Sequence, residues 1–275
     1  MRLALLPLLL SAGWLFADPP APPAPAPVAL DQFQNLPRLL LNDVKHELSA
    51  PGRWSDSDWI VAWAGTAAVV GSMFLLDRTV DEAVVRNRNS SWSRVAKSVE
   101  QLGGAPSVLI AGGIYLGGIA FKEPEVRATG VDLMMTMAIS QLLVTVPLKY
   151  GVGRSRPFEN KGTHDIHPFR GGISFPSGHT TQAFALASVI SEHADRPWVS
   201  CVAYGLAGLV GLSRMEERNH FFSDVVTGGL LGTLVGKSVV RYNQSLRAEG
   251  RAKVAVAFAP VFVPGGGGVS LSVKF

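Results

Sequence analysis

Apolar residues gather in six blocks along the chain, at Trp59 to Leu76, Pro106 to Phe121, Val131 to Leu148, Thr180 to Ser191, Trp198 to Leu212 and Val225 to Val240. Runs of this length without strict alternation predict helices, and six of them predict an all-α six-helix bundle. The first run is 18 residues free of charge, and Ser55-Asp56-Ser57-Asp58 ahead of it offers N-cap oxygens. Glycine is frequent inside the blocks, as at Gly117-Gly118, Gly211, Gly228-Gly229 and Gly232. It allows the close helix approach of membrane bundles and is less at home in a solvent-exposed helix. Crossing a bilayer takes about 20 apolar residues. Thr180 to Ser191 and Trp198 to Leu212 are shorter, so a transmembrane bundle is expected, with a compact soluble periplasmic bundle as the alternative.

The flanks follow other patterns. Met1 to Ala17 has one charge, Arg2, then an apolar core and a small residue at 17, the layout of a secretory signal peptide. Leu15 is a poor fit to the cleavage pattern, which leaves a site near Ala12 or an uncleaved anchor as alternatives. A Pro/Ala-rich linker over 18–30 predicts a stiff polyproline II spacer. Leu36, Leu39, Leu40, Val44 and Leu48 recur at three- and four-residue spacing and predict an amphipathic helix within 31–53, with His46 on its surface. Asp77 to Glu100 is charge-rich and reads as an interfacial or solvated stretch. Beyond the bundle domain, 54–241, the tail 242–275 changes to period two, with Val254, Val256 and Phe258, then Gly265 to Gly268, then Val269, Leu271, Val273 and Phe275. That pattern predicts a short β-hairpin appendage, packed on the bundle or joining two copies in a homo-oligomer.

Charge narrows the partners. The chain carries 25 Lys and Arg against 21 Asp and Glu, a net +4, and the basic residues are scattered rather than blocked. Anionic lipid or phosphate partners fit this better than nucleic acid, which is not expected. The single Cys201 excludes an intramolecular disulfide and is expected to be a small buried hydrophobe. With six spans, Lys and Arg number 12 on one side and 11 on the other, so the positive-inside rule does not choose an orientation. A signal that exports residue 18, followed by three spans, would put the loop after Leu148 in the cytoplasm, which conflicts with an exported active site.

Three polar clusters carry candidate chemistry. Lys149 is followed after six residues by Arg156-Pro157; Pro176-Ser177-Gly178-His179 comes next; then Ser213-Arg214, His220 and Asp224. A phosphoryl group in transfer spreads negative charge over three oxygens, and fixed cations and N–H donors answer it. Lys149, Arg156 and Arg214 supply cations. The Ser177 hydroxyl and the Gly178 N–H at a helix N-terminus supply donors. Gly151, Gly153 and Pro157 break the helix after Lys149, which lets Arg156 project from a loop. His220 and Asp224, four apart, share a helix face, where the carboxylate can accept from one imidazole nitrogen.

These clusters, in this order, resemble the type 2 phosphatidic acid phosphatase superfamily, which also holds bacterial class A acid phosphatases, undecaprenyl pyrophosphate phosphatases, glucose-6-phosphatases and vanadium haloperoxidases. The resemblance runs over roughly Trp59 to Val240, with no substitution at the defining positions. It implies His220 as a nucleophile forming a phosphohistidine, Asp224 as its orienting partner, and His179 as general acid and later base. The phosphate ligands it implies are Lys149, Arg156, Ser177, Gly178 and Arg214. The implied activity is metal-independent hydrolysis of a phospholipid or isoprenoid phosphate or pyrophosphate, without a cofactor. Localisation is expected in a bacterial-type cell envelope, in the inner membrane with a periplasmic active site. Alternatives are a vanadate-dependent haloperoxidase, the one case that needs vanadate as cofactor, a soluble periplasmic acid phosphatase, and a non-catalytic lipid-phosphate binding protein. His164-Asp165-Ile166-His167 lacks further partners at metal-ligand spacing and reads as a loop at the substrate entrance; His193 reads as a partner of its helix C-terminus.

Overall fold

The computed structural model describes residues 29–88, 90–249, 255–263 and 266–274. The expected signal peptide, and the linker up to residue 28, lie outside them. Among the described residues there are ten α-helices, not six. The amphipathic helix is α1, Leu36–Ser49, and the first apolar block is α2, Asp56–Leu75. Ser55 Oγ accepts the Asp58 N–H while Asp58 accepts the Ser55 N–H at 2.8 Å, a reciprocal cap that starts α2 where the Ser/Asp cluster predicts. The charge-rich stretch folds as α3, Asp77–Asn87, and α4, Ser90–Glu100. Then come α5, Ala105–Ala120, and α6, Pro124–Ala138, which continues through a π-helical segment, Ile139–Thr145, into α7, Val146–Val152. The last three are α8, Gly178–Ala194, α9, Pro197–Glu216, and α10, Phe222–Glu249.

Five of the six apolar blocks each fall in one helix, Val131 to Leu148 runs through α6, the π-helical segment and α7, and α1, α3 and α4 come from the polar connections and flanks. Three segments are long and apolar enough to cross a membrane: α2, the continuous run Pro124–Val152, and α9. A fourth is possible in length if Ser93–Gly103 and Ala105–Ala120, bent by 49°, count as one. Their outward faces carry apolar side chains that water would not tolerate in such number, among them Trp63, Phe74, Leu109 (77% exposed), Leu116, Leu142 and Trp198. The chain is accordingly a membrane protein. Cys201, expected to be buried, sits exposed on α9, because that face meets the surroundings rather than the core.

Close backbone contact sets the interior. Gly228, Gly232 and Gly236, four apart on α10, face α8: a Cβ at Gly232 would lie 2.2 Å from the Thr181 carbonyl oxygen, and one at Gly228 2.7 Å from that of Ser177. The α5–α6 pair uses the same device, with Gly118 against Arg127 and Gly130 against Tyr115. Core side chains such as Val131, Leu133, Ile139, Val189, Val210 and Val239 fill the space between. The bundle domain runs past 241, because Asn243, Leu246 and Arg247 on α10 are buried. There Arg247 donates to Asp31 at 2.9 Å and to Asp132 at 2.7 Å, and His193, expected to serve its own helix terminus, bonds Asp132 at 2.8 Å. This cluster pins the segment before α1 to α6, α8 and α10. At the C-terminus, Ala255–Val263 (β1) pairs antiparallel with Gly266–Lys274 (β2), Ala255 opposite Lys274, and β1 lies near α1.

The glycine contacts give a direct test. Gly232→Val should destabilise the detergent-solubilised protein by ~1–3 kcal/mol through overpacking, measured as a lower thermal midpoint. Gly205→Ala, where a Cβ meets nothing within 4 Å, should leave the midpoint in place.

Candidate active site

Six helix ends converge on one cavity. Helices α4, α7 and α9 arrive there, and α5, α8 and α10 depart from it, so polar groups from distant parts of the sequence meet at one end of the bundle. The cavity has a volume of about 400 Å³, and its lining includes Lys149, Arg156, Gly178, His179, Arg214 and His220. That is within the range of small-molecule sites.

Helix α7 ends at Gly153, whose φ of +64° is left-handed and whose Cβ would fall 2.0 Å from the His167 carbonyl oxygen, so only glycine fits. The turn carries the chain out to Arg154, Ser155 and Arg156. Lys149, one turn earlier, donates from Nζ to the carbonyls of Ile173 at 2.6 Å and Pro176 at 2.7 Å. It thereby fixes the loop that leads into α8 and still lines the cavity. Arg156 donates to Asn219 Oδ1 at 3.3 Å, and Arg214 is held through Nη1 by Glu100 and by Glu217, the latter at 2.9 Å. The Nε atoms of Arg156 and Arg214 are both buried without a hydrogen-bond partner. Buried guanidinium donors left open beside a cavity mark the place of an acceptor ligand.

Helix α8 begins at Gly178 and leaves its first amide hydrogens without partners inside the helix. Ser177, predicted as a phosphate donor, is instead wholly buried. Its hydroxyl bonds Thr180 Oγ1 at 2.8 Å, and it does not line the cavity. The reason is its place one residue before the helix, where the hydroxyl reaches forward to a side chain in the first turn. Gln141 in the π-helical segment donates to the Gly178 carbonyl at 2.9 Å and also lines the cavity, as does Gln182. Gly103 and Gly104, between α4 and α5, close over His179: a Cβ on Gly103 would lie 2.3 Å from its carbonyl oxygen, and one on Gly104 3.3 Å from its Nε2. Neither glycine was predicted to serve the site, although a Gly-Gly pair just before Ala105-Pro106 is a signal for a tight connection.

His220 is buried, and its Nδ1 lies 2.7 Å from the Ser174 carbonyl oxygen. A carbonyl only accepts, so Nδ1 carries the hydrogen and Nε2 presents a free lone pair. Asp224 Oδ2 is 3.8 Å from Nδ1 and acts as a neighbouring charge, not as the hydrogen-bond acceptor that the four-residue spacing predicts. The carboxylate is occupied elsewhere: it accepts from the Ser174 hydroxyl at 2.5 Å, the Phe221 N–H at 2.8 Å and Arg154 Nη1 at 2.7 Å. Its burial and the Ser174 bond make it hold His220 through Ser174. Arg154, absent from the predicted site, is wholly buried between Asp224 and Asp77. His164 stacks on Phe74 and His167 pairs with Asp165 at 2.9 Å, so the two turn to different partners.

Burial pushes the His220 imidazole down to about 4, against the pull of Asp224. Burial, followed by the charges of Arg214, His220 and Lys149, likewise pushes His179 down to about 4. Both are neutral at neutral pH in this site. Above pH 6.5 the folded and unfolded chains both hold these histidines neutral; as pH falls from 6.5 towards 4 the unfolded chain binds protons that the folded chain refuses. Stability from these groups is therefore present above about 6.5 and lost as pH falls through that window. The thermal midpoint should drop between pH 6.5 and 4 and do so less steeply in His179→Gln; an equal slope would count against the burial of this imidazole.

Residues 129–248 match the family model described as PAP2 superfamily. A stretch of 91 residues is 41% identical to lipid A 1-phosphatase of Porphyromonas gingivalis, covering 32% of this chain and 18% of that protein, so the chain spans under a fifth of that relative's length. Phosphatidylglycerophosphatase B of Bacillus subtilis is 28% identical over 183 residues, 62% of this chain and 85% of that protein. Among solved structures, LpxE of Aquifex aeolicus superposes with a TM-score of 0.50 at 24% identity, over 62% of this chain and 97% of that one, a likeness of fold. The matched segment, under half of the chain, is the one that brings Lys149, Arg156, His179, Arg214, His220 and Asp224 to a single helix-bundle end, and over that segment the chain is similar to the PAP2 superfamily.

Proposed function

We propose that this chain is a phosphatase acting on lipid phosphates or pyrophosphates, of the phosphatidic acid, phosphatidylglycerol phosphate or undecaprenyl pyrophosphate class, through a phosphohistidine. The observation that carries the reading is the meeting of Lys149, Arg156 and Arg214 with the free Nε2 of His220 around one cavity, with both arginine Nε donors open. The names of the relatives, which are phosphatases of lipid substrates, point the same way. The cavity wall at Ala105 and Val108 is apolar and continues into the exposed Leu109 and Ile110 of α5, which suits a lipid whose phosphate alone enters the polar part.

In this mechanism the phosphoryl oxygens lie against the three cations and the first amides of α8. His220 Nε2 attacks phosphorus, the P–N bond forms as the ester P–O bond breaks, and His179 gives its proton to the departing alkoxide. Neutral His179 then takes a proton from water, whose oxygen attacks phosphorus and frees His220. Burial, with Arg214 and Lys149, helps keep His179 neutral. A bound phosphate dianion offsets those charges and favours the protonated acid, so the proton arrives with the substrate. The cations replace the role a metal would have, so the reading is of a metal-independent enzyme.

A periplasmic active site in the inner membrane is part of this reading. Because α2 ends beside Asp77, behind the catalytic carboxylate, this reading places Ser55 on the cytoplasmic side. A tag in the loop 158–175 should be cut by protease added to spheroplasts; protection there with cleavage only in inverted vesicles would reverse the orientation.

The activity has its own tests. Hydrolysis of phosphatidic acid in detergent should persist in EDTA and be inhibited competitively by vanadate, and His220→Ala should lose ~10⁴-fold or more in turnover with vanadate still bound. A strict Mg²⁺ requirement would sink the reading. Oxidation of bromide by peroxide and vanadate, without phosphatase activity, would favour the haloperoxidase alternative instead.

A further inference from the structure

Asp77 lies in none of the three motifs and outside the matched segment 129–248, yet it touches two residues beside the catalytic carboxylate. It opens α3 directly after the first span, and its side chain is 0% exposed. Oδ1 accepts the backbone N–H of Ser223 at 2.8 Å, at the start of α10. Oδ2 accepts the Ser223 hydroxyl at 2.6 Å and Arg154 Nη2 at 2.7 Å. Arg154 in turn donates from Nη1 to Asp224 Oδ1 at 2.7 Å and to Ser223 Oγ at 2.8 Å, and its guanidinium covers the Phe221 ring at 4.1 Å. Every neighbour of Asp77 in this set is a donor, which suits the ionised carboxylate against the upward push of its burial.

Two buried carboxylates thus share one buried guanidinium. If Arg154 faced Asp224 alone, the pair would be neutral and its field at His220 weak. With Asp77 on the other edge of the guanidinium, the three groups keep a net negative charge beside the imidazole that carries positive charge once phosphorylated. Asp77 also fixes the plane of Arg154, so that Arg154 takes Oδ1 of Asp224 and leaves Oδ2 to the Ser174 hydroxyl and the Phe221 N–H. The Ser174 carbonyl is the group that sets the tautomer of His220.

We propose that Asp77 is a positioning residue for phosphoryl transfer: by holding Arg154 and Ser223 it sets the place and the effective charge of Asp224, and through Ser174 it keeps His220 Nε2 aimed at the cavity. It also ties the end of the first span to the catalytic carboxylate, a link the family segment by itself does not contain. This inference rests on the phosphatase reading above.

The test uses the full chain purified in detergent with phosphatidic acid in mixed micelles and para-nitrophenyl phosphate as substrates. Asp77→Asn keeps the shape and an acceptor oxygen and removes the charge. It should lower kcat ~10–100-fold, the range for a supporting residue behind a reactive group. KM and the vanadate inhibition constant should stay within ~3-fold, because Lys149, Arg156 and Arg214 make no bond to Asp77. Asp31→Asn, which breaks a buried ion pair at the far end of the bundle, should lower the thermal midpoint without this loss of kcat, so a merely structural defect is told apart. If Asp77→Asn does not fold, Ser223→Ala decides: loss of the bridging hydroxyl should lower kcat ~5-fold with KM unchanged. A folded Asp77→Asn with wild-type kcat, a folded Ser223→Ala with wild-type kcat where the first variant fails, or a parallel fall of kcat and vanadate affinity would each overturn the inference while leaving the phosphatase reading intact. A wild-type protein inactive on every ester would overturn that reading, and the inference with it.

Discussion

Three cations within one cavity repel each other, and the rest of the structure answers that repulsion. Lys149 is tethered by two loop carbonyls, Arg156 by the Asn219 side chain and Arg214 by Glu100 and Glu217. None of these partners takes the Nε donors of the two arginines. Glu100 and Glu217 hold Arg214 through Nη1, and both arginine Nε donors stay buried and unpartnered in residues that line the cavity. A site built this way gathers three cations in the cavity lining. Its electrostatics favour an oxyanion before any chemistry is considered, and a ligand that brings negative charge relieves the strain among like charges that burial makes costly.

Bringing those groups together depends on helix direction. With three helices ending and three beginning at the cavity, each motif falls at a helix terminus, where the chain turns and can aim a side chain without breaking a backbone ladder. The helices must also approach closely, and glycines at 228, 232 and 236 on α10 bring its backbone against that of α8, so that Asp224 and the Ser177 amide meet at 3.0 Å through the Asp224 carbonyl. A larger residue at Gly228 would push the start of α8 away from the start of α10, separating the acid histidine from the nucleophile.

Much of this was legible in the sequence, and the parts that were not share a cause. The six apolar blocks mark helices because burial periodicity is written into composition, and the spacing of Lys149, Arg156, His179, Arg214, His220 and Asp224 marks groups the fold places around or beside one cavity. Arg154 escaped because it stands two residues from Arg156 in the same short turn, and spacing cannot say which of two arginines faces inward. The left-handed Gly153 decides it, rotating Arg154 under the site and Arg156 into it. Asp77 and Glu100 escaped because a charge at the end of an apolar run reads as an interfacial residue, and their partners lie 77 and 114 residues away in sequence. Ser177 was read as a ligand because the motif is compact, whereas one helical turn is enough to direct its hydroxyl to Thr180.

The two ends of the bundle divide its polar groups in a way that bears on how the catalytic end keeps its shape. Fourteen residues along α8 separate His179 from His193, roughly 21 Å at 1.5 Å per residue, and at that far end Arg247 and His193 satisfy Asp31 and Asp132 among themselves. In the far cluster Arg247 pairs with both carboxylates, and Asn243 adds a bond to Asp132 at 2.9 Å. The catalytic cluster leaves the Nε donors of Arg156 and Arg214 unpartnered. A hydrogen-bonded network at one end fixes the register of α6, α8 and α10 relative to each other, and rigid helices carry that register to the other end. The open cluster can then hold like charges at close range without spreading apart, because the cost of separating the helices would fall on the paired end as well.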